Sequence, residues 1–236
     1  MAHDHTNKQF DAEMESIRSG VLSMGGMVEK QLTRAIDALQ RDEDAQLMSL
    51  VGTDEAAINQ LQITIDQQCA QIIAKRQPTA VDLRMVLTVS KIVNDLERIG
   101  DEVKKVAYKA AQARGSERLT KVRYYDAARA AEQSMAMLRL ALDAFARLDV
   151  AAAADVVDRD EAIDAAFASI LRQLISYMME DPRTITAALE IVFIAKSIER
   201  IGDHAKNIAE AVVQLVKGKD VRHASPDQIR AEVGQS

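Results

Sequence analysis

Apolar residues recur at spacings of three and four along almost the whole chain. Val89, Ile92, Leu96, Ile99, Val103 and Val106 form one stripe; Val192, Ala195, Ile198, Ile201, Ala205, Ile208 and Val212 form another. That is the period of a helix burying one face, and strand-like alternation is nowhere sustained. Polar clusters interrupt the pattern at 40–44 (QRDED), 76–79 (RQPT), 113–117 (ARGSE), 147–149 (RLD) and 180–184 (EDPRT). Between them lie six helices, most of about thirty residues and each roughly 45 Å long at 1.5 Å per residue. Helices this long, joined by tight turns, pack as antiparallel neighbours in bundles.

The two halves also repeat. AIDAL at 35–39 resembles ALDAF at 141–145, and TDEAAIN at 53–59 resembles RDEAID at 159–164. Most telling, Glu-Arg-Ile-Gly-Asp is written at 97–101 and again 102 residues later, at 199–203. Repeats at a fixed offset point to a duplicated supersecondary unit. The expected fold is all-α, two tandem pseudo-symmetric three-helix bundles, over residues 1–114 and 115–218 with the join at Gly115 and Ser116. Gly218 suits a helix C-cap and Pro226 follows soon after, so the last long helix should stop near 218. Residues 219–236 are expected to form a flexible tail that packs little.

Composition agrees with helices packed on helices. Nearly half of the 236 residues are hydrophobic, tryptophan is absent and aromatics make up 3%, so Ala, Leu, Ile, Val and Met must fill the seams. The net charge of −6 argues against nucleic acid as a main partner. Cys69, the only cysteine, excludes an intramolecular disulfide and a cysteine-based zinc site; it shares an apolar stripe with Ile65 and Ile72 and reads as a core thiol. The polar N-terminus lacks the apolar region of a secretory signal. No stretch approaches 18 uninterrupted apolar residues. A cytoplasmic protein without membrane insertion is expected. His3 and His5 read as part of a polar terminus.

The repeated pentapeptide carries two carboxylates four residues apart, on one helix face. Glu97 and Asp101 lie 19 and 23 residues after Pro78; Asn59 and Glu55 lie 19 and 23 before it. In the second half Glu199 and Asp203 lie 17 and 21 after Pro182, and Asp164 and Asp160 lie 18 and 22 before it. Helices joined by a tight turn run back along each other, so each pair meets a second i, i+4 polar pair at the same height. Four acidic or amide groups converge per bundle at the edge of the apolar seam. Like charges this close repel unless something positive lies between them. Either Arg98, Arg200 and nearby lysines neutralise them, or they hold a hard cation such as Mg, Mn or Fe, or zinc, through oxygen ligands. Gly100 and Gly202 leave room beside the Asp for an ion or for a close helix. Di-metal oxidation bundles use Glu-x-x-His, which this chain lacks. His204, about 100° round the helix from Asp203, reads as a surface histidine or an extra ligand. No phosphate loop, nucleophile elbow or Cys/His triad is present, so nothing proposes a catalyst.

QPTAVDLRMVLTVSKIVNDLERIGDEV and IAKSIERIGDHAKNIAEAVVQLVKG closely resemble the PhoU family, accessory regulators of high-affinity phosphate transport. The likeness extends to MVEKQLTRAIDAL, the DEAID segments and KGKDVRH, over roughly residues 10 to 223. It implies two three-helix bundles and a cytoplasmic, often dimeric protein. It also implies multinuclear metal binding through an acidic motif that maps onto Glu97 and Asp101 and onto Glu199 and Asp203. Asp160 and Asp164 match as facing partners, whereas Glu55 is followed by Asn59, an amide, which should weaken the first site. The implied role is non-catalytic. Such a protein represses the phosphate-starvation response by linking the ATPase subunit of the phosphate ABC transporter to a sensor histidine kinase. A metal-dependent enzyme or metal-storage bundle is the alternative.

Overall fold

The computed structural model describes residues 8–40, 45–112, 120–222, 224 and 226–234. The join at Gly115 and Ser116, His3 and His5 lie outside the described residues. Six long helices follow one another: α1 (Lys8–Gln40), α2 (Ala45–Arg76), α3 (Ala80–Gln112), α4 (Thr120–Arg147), α5 (Val150–Glu180) and α6 (Ile185–Lys217). A short α7 (Pro226–Val233) comes last, and no strand occurs among the described residues.

The turns show why the helices end where they do. The first amides of α5 are bonded by Asp149, whose carboxylate accepts from the backbone N–H groups of Ala151 and Ala152, a side-chain N-cap. Asp149 also closes α4: its N–H donates to the Ala144 carbonyl while that of Leu148 donates to Phe145. This is the paired bonding of a Schellman motif. Leu148 takes the left-handed position at φ 54°, so the two helices share one turn with no intervening loop. After α5, Asp181 accepts from the Arg183 N–H and Pro182 opens a single 3₁₀ turn into α6. Gly218, at φ 74°, caps α6 with its N–H on the Gln214 carbonyl, as its place in the sequence predicts.

Within each half the three helices pack pairwise, α1, α2 and α3 in one and α4, α5 and α6 in the other. Both stripes are buried apart from the partly exposed Val192: Val89, Ile92, Leu96 and Ile99 on α3, and Ile198, Ile201, Ala205 and Ile208 on α6, are completely inaccessible. Cys69 is buried and unpaired, and burial pushes its thiol up to about 11. The halves do not stand apart. α3 lies along α6, α1 along α4, and one continuous apolar core runs through all six long helices. On the α1–α4 side Gly25 admits the Leu142 side chain, which would lie 2.5 Å from any Cβ there.

The tail corrects its expectation. α7 packs against α5, Ile229 is fully buried and Val221 nearly so. Arg230 pairs with Asp158 of α5, and Lys219 with Glu232 at 2.7 Å. The physical reason is amphipathicity: Ile229 stands among polar residues on an eight-residue helix, and packing of α7 against α5 removes it from water.

Candidate acidic centres on the paired helices

α3 and α6 run antiparallel across the boundary between the halves, and polar contacts record their register. Lys91 donates to Gln214 at 2.8 Å and Asp95 meets His204 Nδ1 at 2.9 Å. Arg200 pairs with Glu102 at 3.1 Å and Lys109 with Glu190 at 2.9 Å. His204 is therefore neither a surface histidine nor a neighbour of a ligand set alone. It is half-buried and ties α6 to Asp95 of α3. Glu102, almost wholly buried, receives both Arg200 and Lys105.

The ERIGD segments lie at mid-length of these two helices, with their glycines at close helix approaches. A Cβ on Gly202 would stand 3.3 Å from Ile163 of α5, and one on Gly100 3.3 Å from Gln31 Oε1 of α1 and 3.6 Å from Ile58 of α2. The space beside each Asp is thus taken up by a neighbouring helix.

In the second half all four carboxylates share one electrostatic field. Burial first, then the charges of Glu199, Asp160 and Asp164, hold the Asp203 carboxyl above its ordinary value. Asp164 is raised by burial and by Asp160 and Glu199. Positive groups come from outside the quartet. Lys206 reaches Asp160 at 2.6 Å, and Lys196 spans the two Glu199 oxygens at 2.6 and 2.5 Å. A cleft of about 450 Å³ between α5, α6 and α7 is lined by Asp158, Asp160, Asp164, Lys206, Asp227 and Arg230, so the docked tail borders this centre.

In the first half Glu97 is raised by burial and by Asp101 and Glu55, with Arg98 and His204 opposing. Lys104 reaches Glu55 at 2.6 Å. The amide oxygen of Asn59 is buried with no hydrogen-bond partner, and so is that of Gln31, which lies beside Gly100. The counting from the prolines therefore brings together Asp160, Asp164, Glu199 and Asp203, and Glu55, Glu97 and Asp101. Among the described residues no three His, Cys, Asp or Glu side chains converge tightly enough to hold an ion as they stand. Three of these carboxylates, Glu55, Asp160 and Glu199, are instead paired with Lys104, Lys206 and Lys196.

Several participants escaped the sequence reading. Gln31, on α1, is completely buried though it lies outside the repeated AIDAL segment of its helix. Glu210 is buried and raised by desolvation, beside Lys206 and Asp160. Lys104 and Lys206 had a legible signal: each stands three residues beyond the Asp of its ERIGD segment.

The family model described as PhoU domain matches twice, at residues 21–110 and 127–212, so the internal repeat is a repeat of that domain. The phosphate-specific transport system accessory protein PhoU homolog of Pseudomonas aeruginosa is 46% identical over 97% of this chain and 94% of its own. The crystal structure of PhoU from Pseudomonas aeruginosa superposes with a TM-score of 0.83 at 45% identity, covering 89% of this chain and 100% of that one. The phosphate transport system regulatory protein PhoU of Streptococcus pneumoniae gives a TM-score of 0.82 at 29% identity, over 90% and 99%.

Proposed function

The chain belongs to the PhoU family, and on that premise we propose that it serves a phosphate-specific transport system as a negative regulator. It restrains phosphate uptake and the phosphate-starvation response when phosphate is plentiful, by linking a sensor histidine kinase to the ATPase subunit of the phosphate ABC transporter. The double match to the PhoU domain across the chain carries this reading. The named relatives are accessory and regulatory proteins rather than enzymes, so the role is non-catalytic. Exposed apolar side chains at the end of the α5–α6 hairpin, Ile175, Met179, Ile185, Leu189 and Phe193, support contact with other proteins. Among the described residues no helix is long and apolar enough to cross a membrane; the protein is here read as cytoplasmic and as a homodimer.

The donor chemistry of the acidic centres, though not their spacing as they stand, suits divalent or multinuclear metal ions (Mg, Mn, Fe or Zn). Every donor is a hard oxygen, the carboxyls of Asp203, Asp164 and Glu97 are held above their ordinary values by burial and mutual repulsion, and the Asn59 oxygen is buried without a partner. Asp160, Asp164, Glu199 and Asp203 would hold the ion of one centre, and Glu55, Asn59, Glu97 and Asp101 that of the other. A bound cation would supply the positive charge that the quartets lack and brace the two helices of each hairpin.

The test is a deletion in a phosphate-replete culture, with a phosphate-starvation reporter as readout, and affinity capture with the tagged chain. Derepression of the reporter with capture of the kinase and the ATPase is expected. A silent reporter, or capture of neither partner, overturns the reading.

A further inference from the structure

We propose that Lys104 and Lys206 are tethered counter-cations of the two acidic centres, displaced when a divalent metal ion enters. This rests on the metal reading above. The geometry is duplicated: each lysine stands three residues beyond the Asp of its ERIGD segment and crosses to the neighbouring helix. Each ends 2.6 Å from the first acid of the facing pair, Glu55 or Asp160. Lys196 on Glu199 has no such counterpart, because Asn94 stands 102 residues before it.

The chemistry of the two cations decides the exchange. An ammonium brings one positive charge and bonds chiefly one carboxylate, leaving the others in mutual repulsion. A divalent ion brings twice the charge and takes several oxygens at once. The lysine is held by a flexible four-carbon stem, and its partly exposed end can swing into water once its carboxylate is taken. The Lys206 side chain is 34% exposed and its Asp160 partner 8%, against 51% and 16% for Lys104 and Glu55. Lys206 is therefore the firmer plug, and the second centre gains most from its removal.

Two measurements with manganese(II) test this. Acetylation of individual lysines, followed by mass spectrometry on the wild-type chain, should show Lys206 and Lys104 reacting several-fold faster with manganese than without it. Lys75, exposed at the far end of α2, should be unchanged. In calorimetric titrations K206M and K104M should bind manganese on the order of tenfold more tightly than wild type, K206M showing the larger gain and K75M none. Tight binding by wild type with no change in lysine reactivity and no gain in either variant overturns the displacement model and leaves the metal reading standing. No uptake by wild type or by either variant overturns both. Uptake by the variants alone supports displacement, with the lysine as the dominant occupant.

Discussion

At the scale of single residues, the acidic quartets are held together by burial that their own charges resist. A carboxyl raised above its ordinary value binds its proton more firmly in the fold than in the unfolded chain. The stability it contributes is full below the ordinary value, 3.8 for Asp203 and Asp164, and is lost as the pH rises through the raised one. These carboxyls should therefore contribute a gain in metal-free thermal stability as the pH falls through their raised values toward 3.8. D203N should raise the neutral-pH melting temperature by about 1–3 °C, from roughly 0.5–1 kcal/mol of relieved repulsion, and flatten the acid-side gain. Melting curves in chelator across pH check both; a loss of stability in D203N would show that the carboxylate makes a favourable contact in the metal-free state. The first centre allows the opposite change. N59D puts a carboxylate one turn beyond Glu55 on α2, and on the metal reading should tighten manganese binding about tenfold in titration while lowering metal-free stability.

At the scale of elements, α7 is held by one deep side chain and a rim of ion pairs. Arg230–Asp158 and Lys219–Glu232 are largely exposed, and such pairs contribute about 0–1 kcal/mol each. Ile229 is wholly inaccessible, so I229A should cost about 2 kcal/mol or more and lower the melting temperature by roughly 4–8 °C. Truncation after Gly218 should do at least as much, as followed by circular dichroism. R230A should cost under 1 kcal/mol. Melting temperatures unchanged by I229A would mean that α7 undocks freely in solution. The hairpin turns follow the same economy of parts: Asp149 ends one helix and starts the next, which fixes the relative phase of α4 and α5 and hence which face Asp160 occupies.

At the scale of the whole molecule, the two halves share a core and a polar seam. The α3–α6 contacts at Asp95–His204, Glu102–Arg200 and Lys109–Glu190 join them on one side, and Gly25 against Leu142 on the other. Separating the bundles would expose this apolar surface and strand the nearly buried Glu102. Urea unfolding should therefore run as one transition, coincident by far-ultraviolet circular dichroism and by tyrosine fluorescence. Two resolved transitions would show that the bundles unfold independently.

The sequence by itself determined the helices, the repeat and the height of the acidic pairs. Periodicity three and four, the polar breaks at 147–149 and 180–184, the cap at Gly218, and counting outward from Pro78 and Pro182 are local or nearly local facts, fixed by backbone geometry. Only the tertiary structure decided how the halves meet, because the α3–α6 seam is made of Asp95, His204, Glu102 and Arg200, polar residues that any solvated helix face could carry. It also decided that Gln31 is buried, that the ERIGD glycines admit neighbouring helices, and that the tail docks through Ile229. Ile229 and Val233 stand one turn apart on a helix of about two turns, too short for a period to announce a buried face. The burial of Ile229 depends on α7 meeting α5, an encounter that exists only once the bundle has formed.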